Sequence, residues 1–499
     1  MRLKKPGQFL FALAIVTSFA SSAFAGFPAS SHVPVGSWVY PALERLEAEG
    51  FIKSALLSSR PLTRSEASRL VAEAEENMRD ADPGVRSLIL RLRAFLGGEM
   101  EEEKTTYVRP LASARGSYAY ASGAPHTLNY NNRGKDIESG SNFTAGFELD
   151  GRIARNYSFY LSPQLRHPDA GSPGEETTAE LLEGYFSLTF SNIELTIGRE
   201  SMWWGPGDHG ALLISSNAKP FDMLRLANTE PVKLPWILGR LGPFRGTLFL
   251  TRLEKARDLA NPYLAGLRFD FKPFPSLSVG LSRVAMFGGG GRAVDLGTVK
   301  DAFFNPNEDS VSDPNNQLAA VDLKLIVPWS FQPFVVYGEV GGEDEAGYLP
   351  TDLGYIAGIY LPRLAGIAWL ALRGEYADNY INDSPGVWYS HGVYTDGYRY
   401  KGEIIGHHMG SDARDLYIEA SLDAGRAGAF TLAVDSETAG AAGEVKRRNG
   451  SAILAWEKPF AAGPAISAGY AFDRRENVDG VDGSDSESHL LWAAFEHRF

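Results

Sequence analysis

From about residue 107 to the C-terminus, apolar and polar residues alternate with a period of two. Leu267, Phe269 and Phe271 alternate with Arg268 and Asp270, Leu277, Val279 and Leu281 with serine and glycine, and Val321, Leu323, Leu325 and Val327 enclose Asp322 and Lys324. The parity returns in Leu370, Leu372 and Tyr376 around Arg373 and Glu375, and in Leu416, Ile418 and Leu422 around Tyr417, Glu419 and Ser421. It continues through Phe430, Leu432 and Val434 and then Ile466, Ala468, Tyr470 and Phe472. Successive side chains of a strand point to opposite faces, so each stretch predicts a strand with one apolar and one polar face. Two architectures satisfy that pattern: a half-buried sheet in water, or a membrane barrel with lipid outside and a polar lumen.

Three features select the barrel. Tyrosine and phenylalanine fall repeatedly at strand ends, as aromatic girdles require. Short turns such as Lys272-Pro273-Phe274-Pro275 and Ala461-Ala462-Gly463-Pro464 alternate with long polar loops. The chain ends on the strand Leu491 to Phe499, whose terminal phenylalanine, with Phe495 in step, resembles the C-terminal signal of bacterial outer-membrane barrels. Counting from Ser113 to Tyr120 onwards gives roughly 16 to 18 strands, a lumen that must be either a channel or plugged. Three long excursions offer plug material: residues 200 to 242, 286 to 316 and 378 to 412.

Residues 33 to 97 follow a helical period instead. Pro41 opens a first helix, Leu43 and Leu46 share its face, and Gly50 stands where a glycine stops it. Thr63-Arg64-Ser65-Glu66 is a capping box ahead of the stripe Ala67, Leu70, Val71 and Ala74. Asp82 and Pro83 start a third helix, which carries Leu88, Leu92 and Phe95 and is expected to close at Gly97-Gly98. Glu99 and Glu101 to Glu103 then read as a solvated acidic junction.

Composition narrows the setting. The 499 residues include no cysteine, which excludes disulfides, thiolate chemistry and an acylated N-terminal cysteine, and the net charge of -13 argues against nucleic-acid binding. Arg2, Lys4 and Lys5, the apolar run Phe9 to Phe19 and the site Ala23-Phe24-Ala25 predict a cleaved signal peptide. Beyond it no stretch approaches the ~20 apolar residues of a membrane helix. The expected organisation is a signal peptide at 1–25, a periplasmic helical region at 26–105 and an outer-membrane barrel at 106–499, with an inward-folded segment at about 200–242.

The most distinctive stretch follows the strand Ile193 to Ile197: Gly198-Arg199-Glu200-Ser201-Met202-Trp203-Trp204-Gly205-Pro206-Gly207-Asp208-His209, then Leu213 to Ala218. Paired indoles beside a Gly-Pro-Gly turn suit either a packed turn or a surface that stacks on sugar rings. With Gly406-His407-His408-Met409-Gly410-Ser411-Asp412-Ala413, these residues resemble the Wzi capsule-assembly family. That resemblance implies an outer-membrane barrel of about 18 strands with helices on the periplasmic side. It also implies a lectin-like, non-enzymatic role holding capsular polysaccharide at the cell surface. Separately, Val33-Pro34 through Ala67 resembles S-layer-homology half-repeats, which would imply contact with peptidoglycan, whereas the simpler reading is a helical cap on the barrel.

Two roles therefore stand open for Glu200, Trp203, Trp204, Asp208, His209, Asn217 and Arg225: a lumenal network that fixes a plug, or direct glycan binding. Tyr380, Trp388 and Tyr389, in loops rich in Asn and Asp, are expected as outer contacts to surface polysaccharide. A catalytic site is not expected, because adjacent Asp208 and His209 cannot both face one site from a regular element and no serine elbow is present. Asp378, Asp383 and Asp396 read as solvated loop charges rather than a glycosidase pair. His407-His408 lacks the i, i+4 spacing of a helical zinc pair, and neither metal nor cofactor is expected. The alternative function is a porin-like barrel whose helices contact peptidoglycan, and membrane lipid is a partner in either case.

Overall fold

The computed structural model describes residues 28–100, 106–126, 129–169, 177–304, 315–343, 345–346, 349–350, 352–382, 384–440, 444–460 and 463–499. The expected signal peptide, Glu101 to Glu103, Asp383 and Ala461-Ala462 lie outside these residues. Among them, eighteen long strands close into one antiparallel barrel. They are β1 (Tyr107–Ser122), β2 (Gly140–Ile153), β3 (Tyr157–Asp169), β4 (Thr178–Phe190), β5 (Ile193–Glu200) and β6 (Phe221–Asn228). Next come β7 (Pro243–Arg252), β8 (Tyr263–Phe274), β9 (Leu277–Phe287), β10 (Asn316–Val327), β11 (Phe334–Gly342) and β12 (Gly354–Leu361). The last six are β13 (Leu370–Asp378), β14 (Ala413–Asp423), β15 (Ala429–Ala439), β16 (Arg447–Pro459), β17 (Pro464–Glu476) and β18 (Ser486–Arg498). Each pairs with its sequence neighbour, and β18 closes on β1 with Phe495 opposite Gly116. Pro110 and Pro163, which cannot donate to a ladder, sit where the register of β1 and β3 shifts.

Burial is inverted relative to a water-soluble sheet. Phe186 is 45% exposed and Leu323 51%, while Arg268 is 0% and Asp322 2% exposed. Apolar residues outside and charged residues inside, alternating along each strand, are what lipid on one side and a polar lumen on the other require.

The lumen is filled from both ends. Helices α1 (Val39–Ala48), α2 (Arg64–Asn77) and α3 (Pro83–Met100) sit at the end with the short turns, the end that faces the periplasm in bacterial barrels. Thr63 Oγ1 accepts from the Glu66 amide at 3.0 Å, so the predicted cap forms, although the Glu66 carboxylate engages Arg69 instead of reaching back. Gly50, with φ of 84°, ends α1 as expected. By contrast α3 runs through Gly97-Gly98 to Met100, because a glycine without left-handed backbone is merely a poor helix residue, costing about 1 kcal/mol.

Buried ion pairs lock α1 to the wall. Lys272 Nζ lies 2.6 Å from Glu47, Lys324 Nζ 3.0 Å from Glu47 and 3.1 Å from Glu44, and Arg373 2.7 Å from Glu44. Burial alone would raise the carboxyls of Glu44 and Glu47. The cations of β8, β10 and β13 outweigh it and hold both below the usual carboxylate range.

From the opposite end, residues 201–220 and 379–412 fold inward. The inward segment is shorter than the expected 200–242, since residues 221–228 are wall strand β6 and Trp236 is 97% exposed at the short-turn end. Phe221 and Met223 pack on the plug while Leu224 and Leu226 face outward, and with Arg225 inward and Asp222 outward both faces are mixed, so the alternation is hidden. Residues 288–304 remain outside this plug, where α4 (Leu296–Phe304) packs Ala302 and Phe303 on Ala265, Ala285 and Phe287.

Candidate functional site

The two halves of the plug meet at the tryptophans. Trp203 and Trp204 form a two-residue ladder with Arg60 and Ser59, and the Gly205 amide donates to Ser58 O at 2.9 Å. Trp204 packs edge-on against Phe249 at 5.3 Å, over Gly266, where any Cβ would fall 2.9 Å from the indole. Trp203 Nε1 donates to Gly207 O at 3.1 Å, and the Arg60 guanidinium lies over its ring at 5.9 Å and over Tyr40 at 4.7 Å. Gly205 has φ of 135°, and a Cβ there would meet Glu339. Both indoles are buried, so neither presents a face at the outer surface.

The polar residues of this stretch divide among three clusters rather than one. Glu200 and Arg225 join Glu194 around His32, whose Nε2 is 2.8 Å from Glu194 and whose Nδ1 contacts Glu200. Arg225 lies 3.1 Å from Glu200 and 3.0 Å from both Glu194 and His32 Nε2. Burial disfavours a charged His32, and Arg225 opposes it further, but the two carboxylates prevail and raise its pKa to about 9. A second cluster holds the plug backbone: Glu375 accepts from the amides of Asp208 (2.9 Å) and Gly210 (3.0 Å), and Glu339 from that of Leu212 (3.2 Å). Asp208 itself is 3.7 Å from Arg373. Asn217 ties loops together, donating to Ile404 O at 3.0 Å and accepting from the Asn131 amide at 3.3 Å.

His209 belongs to the third cluster. It stacks on Tyr417 at 4.0 Å and points Nε2 at Asp415 (3.4 Å) and Asp435 (3.7 Å). His408, from the other inward loop, points Nε2 at Asp415 (3.3 Å) and Glu437 (3.2 Å). Helical spacing could not reveal this group, because its members come from two loops and two strands.

Trp388 and Tyr389 correct the expectation of outer contacts. Trp388 is buried and donates to Asp352 O at 2.8 Å. Tyr389 is buried too, its hydroxyl donating to Leu212 O at 2.7 Å and accepting from the His407 amide at 2.9 Å. Aromatic rings in an inward-folded loop bury their large apolar area where it is available, here against the plug. Tyr380 remains half-buried, with Arg414 and Lys446 over its ring. Asp378 pairs with Arg414 at 3.0 Å, and Asp396 accepts from the Asp258 amide.

The plug leans on one side of the barrel. Against the inner wall formed by β1 to β3 and β16 to β18 lie two adjoining cavities, of about 590 and 1030 Å3. Arg115, Lys135, Gln164, Arg166 and Trp492 line the outer one, and Arg45, Arg91, Arg109, Glu457 and Arg498 the inner. Trp492 lies flat over Gly469, where a Cβ would fall 2.0 Å from the ring. Lys135 donates to Gln164 at 2.7 Å, and burial, then Arg133 and Arg115, lower its pKa to about 6. Sequence reasoning missed this crevice, although the inward parity of Arg115, Ser117 and Ala119 on β1 carries a readable signal.

A closed barrel with lipid-facing apolar residues and a lumen filled from both ends defines an outer-membrane barrel of the plugged kind. The family model described as capsule assembly protein Wzi matches residues 113–490, and this chain belongs to that family. Its fold is similar to that of Escherichia coli Wzi, described as an outer membrane protein involved in group 1 capsule assembly and a carbohydrate-binding β-barrel. That likeness has a TM-score of 0.73 at 20% identity, over 95% of this chain and 100% of the other. An uncharacterised 55.8 kDa Klebsiella pneumoniae protein from the cps region is 33% identical over 180 residues. The match spans only 35% of either chain, about a third of that relative's length.

Proposed function

We propose that this protein binds an anionic surface polysaccharide without catalysis, and so assists capsule or exopolysaccharide assembly and attachment. The observation that carries this reading is the crevice: a cleft lined by both cations and carboxylates and by the indoles of Trp38 and Trp492, with Arg115, Arg133, Lys135 and Arg166 gathered in its outer part, beside the plug. Arg115, Arg133, Lys135 and Arg166 supply donors for carboxylate or sulfate groups, and Trp492 supplies a flat apolar face for a sugar ring. An anion beside Lys135 would relieve the repulsion that lowers its pKa. Membership of a capsule assembly family supports the same reading.

Binding of purified protein to the host's acidic polysaccharide, followed by glycan array or calorimetry, tests it. Trp492→Ala is expected to weaken binding about 5- to 150-fold, the range of one stacking contact of roughly 1–3 kcal/mol. Binding that is equally tight in Trp492→Ala and Arg115→Ala would remove the crevice from the account. Full retention of polysaccharide by a deletion strain, with no glycan bound to purified protein, would remove the function. The porin-like alternative predicts a large, steady current in planar bilayers, whereas a plugged binding barrel should pass little.

A further inference from the structure

We propose that His209, His408 and Asp415, flanked by Asp435 and Glu437, form a binding site for a divalent transition-metal ion, with zinc the best match, that pins both inward loops to the wall. His209 comes from the first inward segment and His408 from the second. Asp415 stands near the start of β14, and Asp435 and Glu437, two apart on β15, share its lumenal face. One donor atom from each of His209, His408 and Asp415 lies within 4.8 Å of the others, and the same holds for Asp415, Asp435 and Glu437. Contacts between imidazole nitrogens and carboxylate oxygens run from 3.2 to 3.7 Å. Bonds of about 2.0–2.2 Å to one tetrahedral ion place its ligands about 3.4 Å apart, so little movement is needed.

Three further observations point to a cation rather than to self-contained ion pairs. The Nε2 atoms of His209 and His408, both carboxylate oxygens of Asp415 and Asp435, and Oε1 of Glu437 are buried and make no well-aligned hydrogen bond. Their short contacts are off the line a hydrogen bond needs, so they converge without satisfying one another. Among the described residues, the charged groups paired with these three carboxylates are histidines, not lysine or arginine. Bound to neutral imidazoles, a divalent ion would offset most of the charge of the three buried carboxylates.

The surroundings already orient the donors. Tyr417 stacks on His209 and Tyr130 on His408, each at 4.0 Å. The Tyr130 hydroxyl and Asn449 hold Glu437 Oε2, which leaves Oε1 turned to His408. Such outer support is what metal-binding carboxylates and imidazoles require. Mixed imidazole and carboxylate donors suit zinc and its first-row neighbours, whereas calcium and magnesium favour all-oxygen shells.

The test uses full-length protein in detergent, stripped with chelator, then titrated with Zn2+ by calorimetry and assayed for bound metal. One equivalent per chain is expected, with affinity falling about 100-fold or more in His408→Ala and in Asp415→Asn, and unchanged in His489→Ala, whose ring lies against Tyr470. Cobalt substitution gives a second readout: visible d–d bands in the parent protein and none in His209→Ala. Circular dichroism and heat-modifiable migration confirm that each variant is folded. Sub-stoichiometric uptake, zinc affinity unchanged in both His408→Ala and Asp415→Asn, or tighter binding of Ca2+ than of Zn2+ would each overturn the proposal. None of these readouts depends on polysaccharide binding.

Discussion

Single residues decide how the two plug halves stay joined. Trp204 fills the space between β7 and β8, and Trp204→Ala should cost about 3–5 kcal/mol of local stability, read as earlier melting or faster exchange in residues 201–220. His32 sets a pH dependence. Its folded pKa of about 9 lies above the ordinary 6.5, so its contribution is complete below pH 6.5 and disappears as pH climbs through 9. That shift is worth about 3 kcal/mol, and limited proteolysis of residues 28–38 should accelerate between pH 6.5 and 9.5 but not in His32→Gln. The Glu194 and Glu200 side of this cluster was open to parity reasoning, whereas Arg225 stood in what read as a loop. His32 was not open to it, because 162 residues separate it from Glu194 and 168 from Glu200.

Elements were legible where one physical demand governed them. Strands such as β8, β10 and β14 face lipid on one side and charge on the other, and their alternation is unmistakable. Strand β6 answers to lipid outside and to both an apolar plug and a charged cluster inside, and a single sequence cannot separate that mixture from a loop. Helix starts were readable from Thr63 and Asp82, since caps are local, whereas the end of α3 was not, since a glycine pair stops a helix only where its backbone turns left-handed. The seat of α1 depends on Lys272, Lys324 and Arg373, which lie hundreds of residues away. Glu47→Gln leaves two buried lysines short of a partner and should cost about 3–5 kcal/mol, measurable by denaturant unfolding, with exchange rising first in α1.

At the scale of the molecule, the barrel and its closure followed from periodicity, while loop length supplied plug material and left channel and plug both open. The division of the lumen did not. Which inner residues touch the plug and which line the crevice depends on how two loops and three helices share the space, and no local pattern encodes it. Removing residues 379–412 should open the lumen, since this loop carries Trp388, Tyr389, Tyr398 and His408; a rise in single-channel conductance would report it.

The eccentric plug makes the wall mechanically unequal around its circumference. Staves β8 to β13 are braced from within by buried salt bridges and by carboxylates gripping plug amides, while β17, β18 and the outer half of β1 face a hollow. These hollow-side staves include the seam between the first and last strands. Amide exchange in the seam should therefore outpace that in β8 to β10 by more than their similar ladder lengths predict. A long polymer lying in the crevice would act there as a splint, slowing exchange at the seam and leaving the braced side unchanged.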